Sequence, residues 1–123
     1  MPFKDENWAI FVFKNDNFLE RKDMTDKRYY LFGKQIEIAD IQTLHDSCSS
    51  QHAVIQFRNI FKKRETSEDY DSLIIPYIID LNSETGTYLN KEKIEPSKYY
   101  QLLDEDLINI GHSTRDYIVK LVK

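Results

Sequence analysis

Apolar residues along this chain recur with a period of two far more often than with the period of a helix. Behind Ser47-Cys48-Ser49-Ser50-Gln51-His52, the run Ala53-Val54-Ile55-Gln56-Phe57 puts Ala53, Ile55 and Phe57 on one face of a strand. His52, Val54, Gln56 and Arg58 fall on the other face, and the alternation predicts a strand over residues 52–61. Residues 8–13 are apolar at every position and predict a strand covered on both faces. Residues 29–32 predict a strand stopped by Gly33, residues 36–38 a short strand, and residues 73–81 a longer one. Pro76 lies near the start of that longer strand, where a missing N–H is tolerable on an edge. Shorter strands are predicted over residues 87–89, 91–94, 99–102, 106–110 and 116–122.

The intervening segments are polar. Residues 14–27 predict a long turn or a short edge hairpin, and residues 39–51 wind towards the serine-rich turn with local side-chain-to-backbone bonds. Residues 62–72 predict a solvated loop. No window sustains helical spacing over three turns, and there is no internal repeat. Roughly ten short strands joined by polar turns predict an all-β sandwich. Its core is expected to draw on residues 8–13, 53–57 and 118–122.

Composition narrows the class. A chain of 123 residues suits one domain, taken here as 1–123, and is long enough to fold without a metal or disulfide staple. A net charge of −4 argues against a general nucleic-acid or acidic-membrane surface. The single Cys48 cannot form an internal disulfide, which fits a reducing compartment. Residues 1–7 lack the pattern of a signal peptide, and the apolar run at 8–13 is far shorter than a membrane helix, so a soluble intracellular domain is expected. Lys62-Lys63-Arg64 has the look of a nuclear-targeting cluster, but three basic residues ending a strand more often form ordinary surface.

Candidate chemistry is sparse. Ser49 and His52 invite comparison with a nucleophile and base. On an extended strand, residues three apart point to opposite faces, and no Asp is obviously placed to orient the ring. His52 is therefore expected to be a structural ring bonding nearby loop backbone, and no enzyme activity is expected. His45, His52 and His112 lack partners at metal-ligand spacing, and no Gly-rich loop opens a helix, so no metal or cofactor is expected. Gly33 and Gly86 are expected to supply positive φ or close backbone approach. A turn rich in hydroxyls and free N–H groups at a sheet rim is, in contrast, a good cradle for an oxyanion.

Three stretches together resemble one family. Phe32-Gly33-Lys34, then Ser49-Ser50-Gln51-His52-Ala53, then the block from Asp80 through Ser83-Glu84-Thr85-Gly86-Thr87 to Asn90 are similar to the three-part signature of the forkhead-associated (FHA) domain. Within that family, Ile38-Ala39-Asp40-Ile41, residues 47–57 and residues 94–100 resemble the branch of the Smad nuclear-interacting and yeast pre-mRNA leakage proteins; the tail from Gly111 to Tyr117 also fits. The resemblance covers nearly the whole chain from Tyr29 onward. It implies an FHA-type β-sandwich of about eleven strands, with binding loops at one end. It also implies a nuclear, monomeric phosphothreonine-peptide-binding module of a pre-mRNA splicing factor. Its partners would be a phosphothreonine-containing protein and spliceosomal proteins of the retention-and-splicing complex, with no direct contact to nucleic acid or membrane.

Carried over by position, Ser49 would bond the phosphate, and Ser50 would contact phosphate or peptide. Lys34 would stand where an arginine normally meets the phosphate, and Thr85 where an asparagine normally holds the peptide main chain. Gly33, His52, Gly86 and Asn90 would shape the loops. Lys34 keeps a cation but lacks the planar fork of arginine. Thr85 offers no amide, Glu84 adds an acid that opposes a dianion, and Lys91 replaces a glycine that often follows Asn90. These departures raise a second expectation, a phosphate-independent docking scaffold with a weakened pocket.

Overall fold

The computed structural model describes residues 7–65 and 70–122. Eleven strands run in order: β1 (Asn7–Lys14), β2 (Asn17–Asp23), β3 (Tyr29–Gly33), β4 (Ile41–Gln42), β5 (Ala53–Lys63), β6 (Tyr70–Asp80), β7 (Thr87–Leu89), β8 (Glu92–Lys93), β9 (Tyr100–Gln101), β10 (Asp106–Ile110) and β11 (Arg115–Val122). They form two sheets, one ordered β2-β1-β11-β10-β7-β8 and the other β4-β3-β5-β6-β9. The chain is thus an all-β sandwich. The ladders are antiparallel except for the short parallel pairing of β3 with β4.

Alternation decides what the sheets enclose. Trp8, Ile10 and Val12 of β1 and Tyr117 and Val119 of β11 face Tyr30 and Phe32 of β3, Ala53, Ile55 and Phe57 of β5, and Ile78 of β6. Phe32 and Tyr117 meet edge to face across the two sheets, with ring centroids 5.3 Å apart, a geometry that aromatic quadrupoles favour. Two tight hairpins set the register. Asn15 and Asp16 (φ 51° and 68°) join β1 to β2, and Asn90 and Lys91 (φ 52° and 73°) join β7 to β8. Positive φ at both central residues matches the twist of the flanking strands. Lys91 occupies that glycine-like conformation without being glycine.

Pro76 lies within β6 rather than near its start, and its position is explained by hydrogen-bond direction. Its carbonyl accepts from Leu102 N–H, so its nitrogen also faces away from β5. Opposite it, the Phe57 N–H donates to Arg28 carbonyl on the far side. No β5–β6 ladder bond is lost at the Phe57–Pro76 pair.

Three expectations are corrected. Residues 36–38 form a turn, not a strand. The N–H groups of Ile38 and Ala39 both donate to Gln35 carbonyl, and Ile36 and Ile38 stay 65% and 44% exposed. The short strand is β4 instead, because the Asp40 carboxylate accepts from Leu31 N–H and sets Ile41 beside Phe32. Second, residues 8–13 are buried on the inner face and at Ala9 outside, but Phe11 and Phe13 are only half-covered on the outer face, where they lie against Phe18 of β2. Third, the loop expected over residues 62–72 is shorter, because β5 extends to Lys63 and β6 begins at Tyr70; its centre, residues 66–69, lies outside the described residues. Residues 14–27 do make the edge hairpin, as β2.

Ile55 sits fully buried between the sheets, whereas Ile36 projects into solvent. Ile55→Ala is expected to destabilise the fold by ~2–5 kcal/mol through lost burial and a cavity. Ile36→Ala should stay within ~0.5 kcal/mol. Urea titration of both variants checks this, and equal effects would show that residues 36–38 pack as a strand after all.

Candidate functional site

Four connections gather at one end of the sandwich, because β3, β6 and β10 end there and β5, β7 and β11 begin there. They are residues 34–40, 43–52, 81–86 and 111–114.

His52 joins them from inside. It is fully buried. Its backbone N–H donates to Phe32 carbonyl, and its carbonyl accepts from Leu81 N–H. On the ring, Nδ1 accepts from Ser49 N–H at 3.0 Å, so the proton sits on Nε2, which donates to Gly86 carbonyl at 2.7 Å. Burial pushes the His52 pKa below 6.5, against the weaker opposing pull of Gly86 carbonyl and Asp80. The ring is thus neutral and meets the backbone of Ser49, not its hydroxyl.

Asp80, also buried, organises the third connection. Its carboxylate accepts from Ser83 Oγ and Thr87 Oγ1, both at 2.6 Å, and from Ser83 N–H at 3.0 Å. Burial alone would raise its pKa, but these hydrogen bonds hold it below 3.8. Asp80 Oδ1 lies 3.9 Å from His52 Nε2, beyond a hydrogen bond.

Ser47 ties in the remaining connections. Its carbonyl accepts from Thr85 Oγ1 at 2.6 Å, its Oγ accepts from His112 N–H at 2.8 Å, and Oγ also bonds His45 Nδ1. Two glycines are required by close approach. A Cβ on Gly33 would lie 2.0 Å from Ser50 carbonyl, and one on Gly111 would lie 2.6 Å from Thr85 Oγ1. Gly86 adopts φ +89°, open only to glycine at low strain. Asn90 stands apart, clamping the β7–β8 turn to β10 through Leu107 N–H and Asp106.

On this frame the Lys34 N–H donates to Ser49 carbonyl and the Gln35 N–H to Ser50 carbonyl. Ser49 Oγ accepts from Glu84 N–H at 3.4 Å, leaving its own proton free to donate. Among the described residues the Ser50 N–H takes no partner. Lys34, Ser49 and Ser50 therefore converge, with Asp46, Ser47, Cys48 and Glu84, around a shallow concavity of about 290 Å³. Thr85 is brought to the same end, but its hydroxyl is engaged with Ser47 and it does not line the concavity. The roles of Asp80, Ser47 and Gly111 were not read from the sequence. Asp80 carried a local signal, since an Asp three residues before Ser83 is the spacing of a side-chain-capped turn.

A β-sandwich with hydroxyls, an N–H and a cation clustered in its end loops has the form of a phosphopeptide-recognition module. The chain belongs to the FHA domain family, whose pattern it matches over residues 30–111. It is 46% identical over 93% of its length to a probable serine/threonine-protein kinase of Dictyostelium discoideum, of which it covers 8%. It is 40% identical, again over 93% of its length, to mouse Smad nuclear-interacting protein 1, of which it covers 30%. The structure of the yeast Pml1 splicing factor superposes with a TM-score of 0.79 at 25% identity, covering 95% of this chain and 80% of Pml1. The chain therefore spans about a third or less of these two curated relatives. FHA domains are interaction modules, and the kinase owes its name to a far longer chain.

The buried pair gives stability a stepped pH dependence. His52 binds its proton less readily folded than unfolded, so its contribution is complete above pH 6.5 and is lost as pH falls below that value towards the folded pKa. The Asp80 contribution is present above pH 3.8 and is lost as pH falls through its lower folded pKa. Urea unfolding across a pH series should show both declines, and NMR titration of the His52 ring should give a midpoint below 6.5. A midpoint above 6.5 would mean that the ring is not held neutral.

Proposed function

We propose that this chain is a phosphothreonine-peptide-binding module that docks a phosphorylated partner in a nuclear pre-mRNA splicing assembly. The observation that carries the reading is the convergence of Lys34, Ser49 and Ser50 on one concavity, with a free Ser50 N–H and a Ser49 hydroxyl positioned by Glu84 N–H. Such a set of donors and one cation suits a phosphate dianion. Support for the setting comes from the relatives: Pml1 is a splicing factor integrated into the RES complex, and Smad nuclear-interacting protein 1 carries its location in its name. Gly33, His52 and Gly86 serve the site by holding its loops, whereas Asn90 holds the β7–β8 turn at the far end of β7.

A second reading has its own observation. Asp46 and Glu84 line the concavity against the single Lys34. Each carboxylate a few ångströms from a phosphate opposes it by ~1 kcal/mol per charge pair in a largely aqueous setting. On that reading the same end docks a partner without phosphate.

Calorimetry of one phosphothreonine peptide and its unphosphorylated control separates the two. The phosphate reading expects Ser49→Ala to lose ~1.5–3 kcal/mol, roughly tenfold or more in affinity. It also expects Lys34→Arg to strengthen binding, by supplying a second parallel hydrogen bond, and Glu84→Gln to strengthen it by removing a like charge. Equal binding of both peptides, with Ser49→Ala neutral, would leave the scaffold reading in place.

A further inference from the structure

The outer face of the second sheet breaks the rule that an exposed antiparallel face turns polar residues to water. Because Tyr30, Phe32, Ala53, Ile55, Phe57 and Ile78 face the core, alternation turns Tyr29 and Leu31 of β3 outward, with every other residue from 54 to 60 of β5 and from 73 to 79 of β6. Those ten positions include no carboxylate and one charge, Arg58, in a chain that is 31% charged with a net charge of −4. Val54 pairs with Ile79, Gln56 with Tyr77 and Arg58 with Ile75. Tyr29 is 57% exposed, and Tyr99, which overhangs the same face from the approach to β9, is 41% exposed.

Arg58 is set into this surface. Its guanidinium lies 4.8 Å from the ring centre of Tyr99 and 5.5 Å from that of Tyr77, and the two rings meet edge to face. Tyr99 is itself fixed by a hydrogen bond from its hydroxyl to Gln56 Oε1 at 2.9 Å. Among the described residues no carboxylate comes within ion-pair distance of Arg58. The neighbouring cation at the margin, Lys27, already pairs with Asp40. Tyrosines and an arginine amid aliphatic side chains form the composition of interface hot spots, and an apolar face of this extent is unusual on a surface that meets only water.

We propose that this face is a second docking surface, which receives an unphosphorylated segment of a partner protein carrying an Asp or Glu carboxylate among apolar side chains, with Arg58 as its counter-ion. Charge complementarity selects that occupant. A second copy of this chain, meeting face to face about a two-fold axis, would present the same acid-free patch and leave each Arg58 opposite no carboxylate. Among these ten positions a phosphate would find a single cation and no serine, and the Tyr99 hydroxyl is occupied. The surface lies on the side of the sheet, whereas the phosphate concavity lies at its end, so the two can be occupied together.

The experiment titrates the isotope-labelled chain with short unphosphorylated peptides rich in Leu and Val that carry one Glu, each matched by a peptide with Lys in place of that Glu. NMR shifts from the Glu peptides are expected at Gln56, Arg58 and Tyr77, and the Lys peptides should bind about fivefold more weakly. Arg58→Glu should reverse that order, Tyr99→Ala should weaken the Glu peptides, and Ser49→Ala should leave both peptides unchanged. Tyr99→Ala also keeps the test decisive if Arg58→Glu does not fold. No binding by any Glu peptide, equal binding by Glu and Lys peptides, or shifts confined to the end loops would overturn the proposal. Sedimentation revealing a dimer that Tyr77→Asp disperses would overturn it as well. Since phosphopeptide binding depends on Ser49 and this surface on Arg58, either reading can fail without the other.

Discussion

The neutral imidazole of His52 is the constraint on which the binding end depends. It stands at the mouth of β5 and uses both ring nitrogens on backbone groups, Ser49 N–H on one side and Gly86 carbonyl on the other. Its own backbone adds bonds to Phe32 and Leu81. One fully buried residue therefore fixes the connections after β4 and β6 relative to each other and to the end of β3. A buried ring of this kind is tolerable only with both nitrogens satisfied, since an unpaired polar atom there would forfeit ~1–3 kcal/mol. Asp80 repeats the logic one strand away, with Ser83 and Thr87 as its donors.

This division between frame and surface bears on how the site has been altered. The residues that hold the loops, namely Gly33, His52, Asp80, Gly86 and Gly111, are engaged in close contacts or strong hydrogen bonds that permit few alternatives. Lys34 and Glu84, which meet solvent, carry no such restriction. A cation without a fork and an acid beside the cradle can therefore sit on an undisturbed backbone. Thr85 is intermediate, because its hydroxyl has been drawn into the frame by Ser47. Changes at the exposed positions would leave the backbone frame in place, whereas changes in the frame would move every group facing the concavity at once.

The two faces of the sandwich are treated unequally. On the first sheet, Phe11 is flanked by the cations Arg21 and Lys120, while Phe18 beside it stays 55% exposed. On the second, alternate positions 54–60 of β5 and 73–79 of β6 turn outward aliphatic side chains, Tyr77, Gln56 and a single charge, Arg58. Propensity does not account for this, since polar β-formers such as threonine would serve the strands as well. The continuous outward run of β5 and β6 points to something that covers it.

Much of the architecture was legible in the chain itself. Period-two alternation in β5 is a consequence of strand geometry, and it named Ala53, Ile55 and Phe57 as inward directly; in β11 it marked a core strand, but the inward pair is Tyr117 and Val119. Ser49, Ser50, Gly33 and Lys34 stood out because turn chemistry and a family resemblance lie in short contiguous stretches. The failures were of another kind. Ile36 and Ile38 alternate as strand residues do, yet a turn closed by Gln35 and a capping Asp40 nine residues from Leu31 in sequence set them in solvent. The position of Pro76 depended on which side of β6 met Leu102. Ser47, Gly111 and Thr85 lie far apart in sequence, and nothing local shows that a Cβ on Gly111 would strike the other two. Sequence alone determined the strands and the chemistry each turn offers, because both follow from local sterics and hydrogen bonding. Tertiary structure alone decided which turns meet and which polar groups are used up in holding them, because such contacts depend on distances between segments that no local pattern encodes.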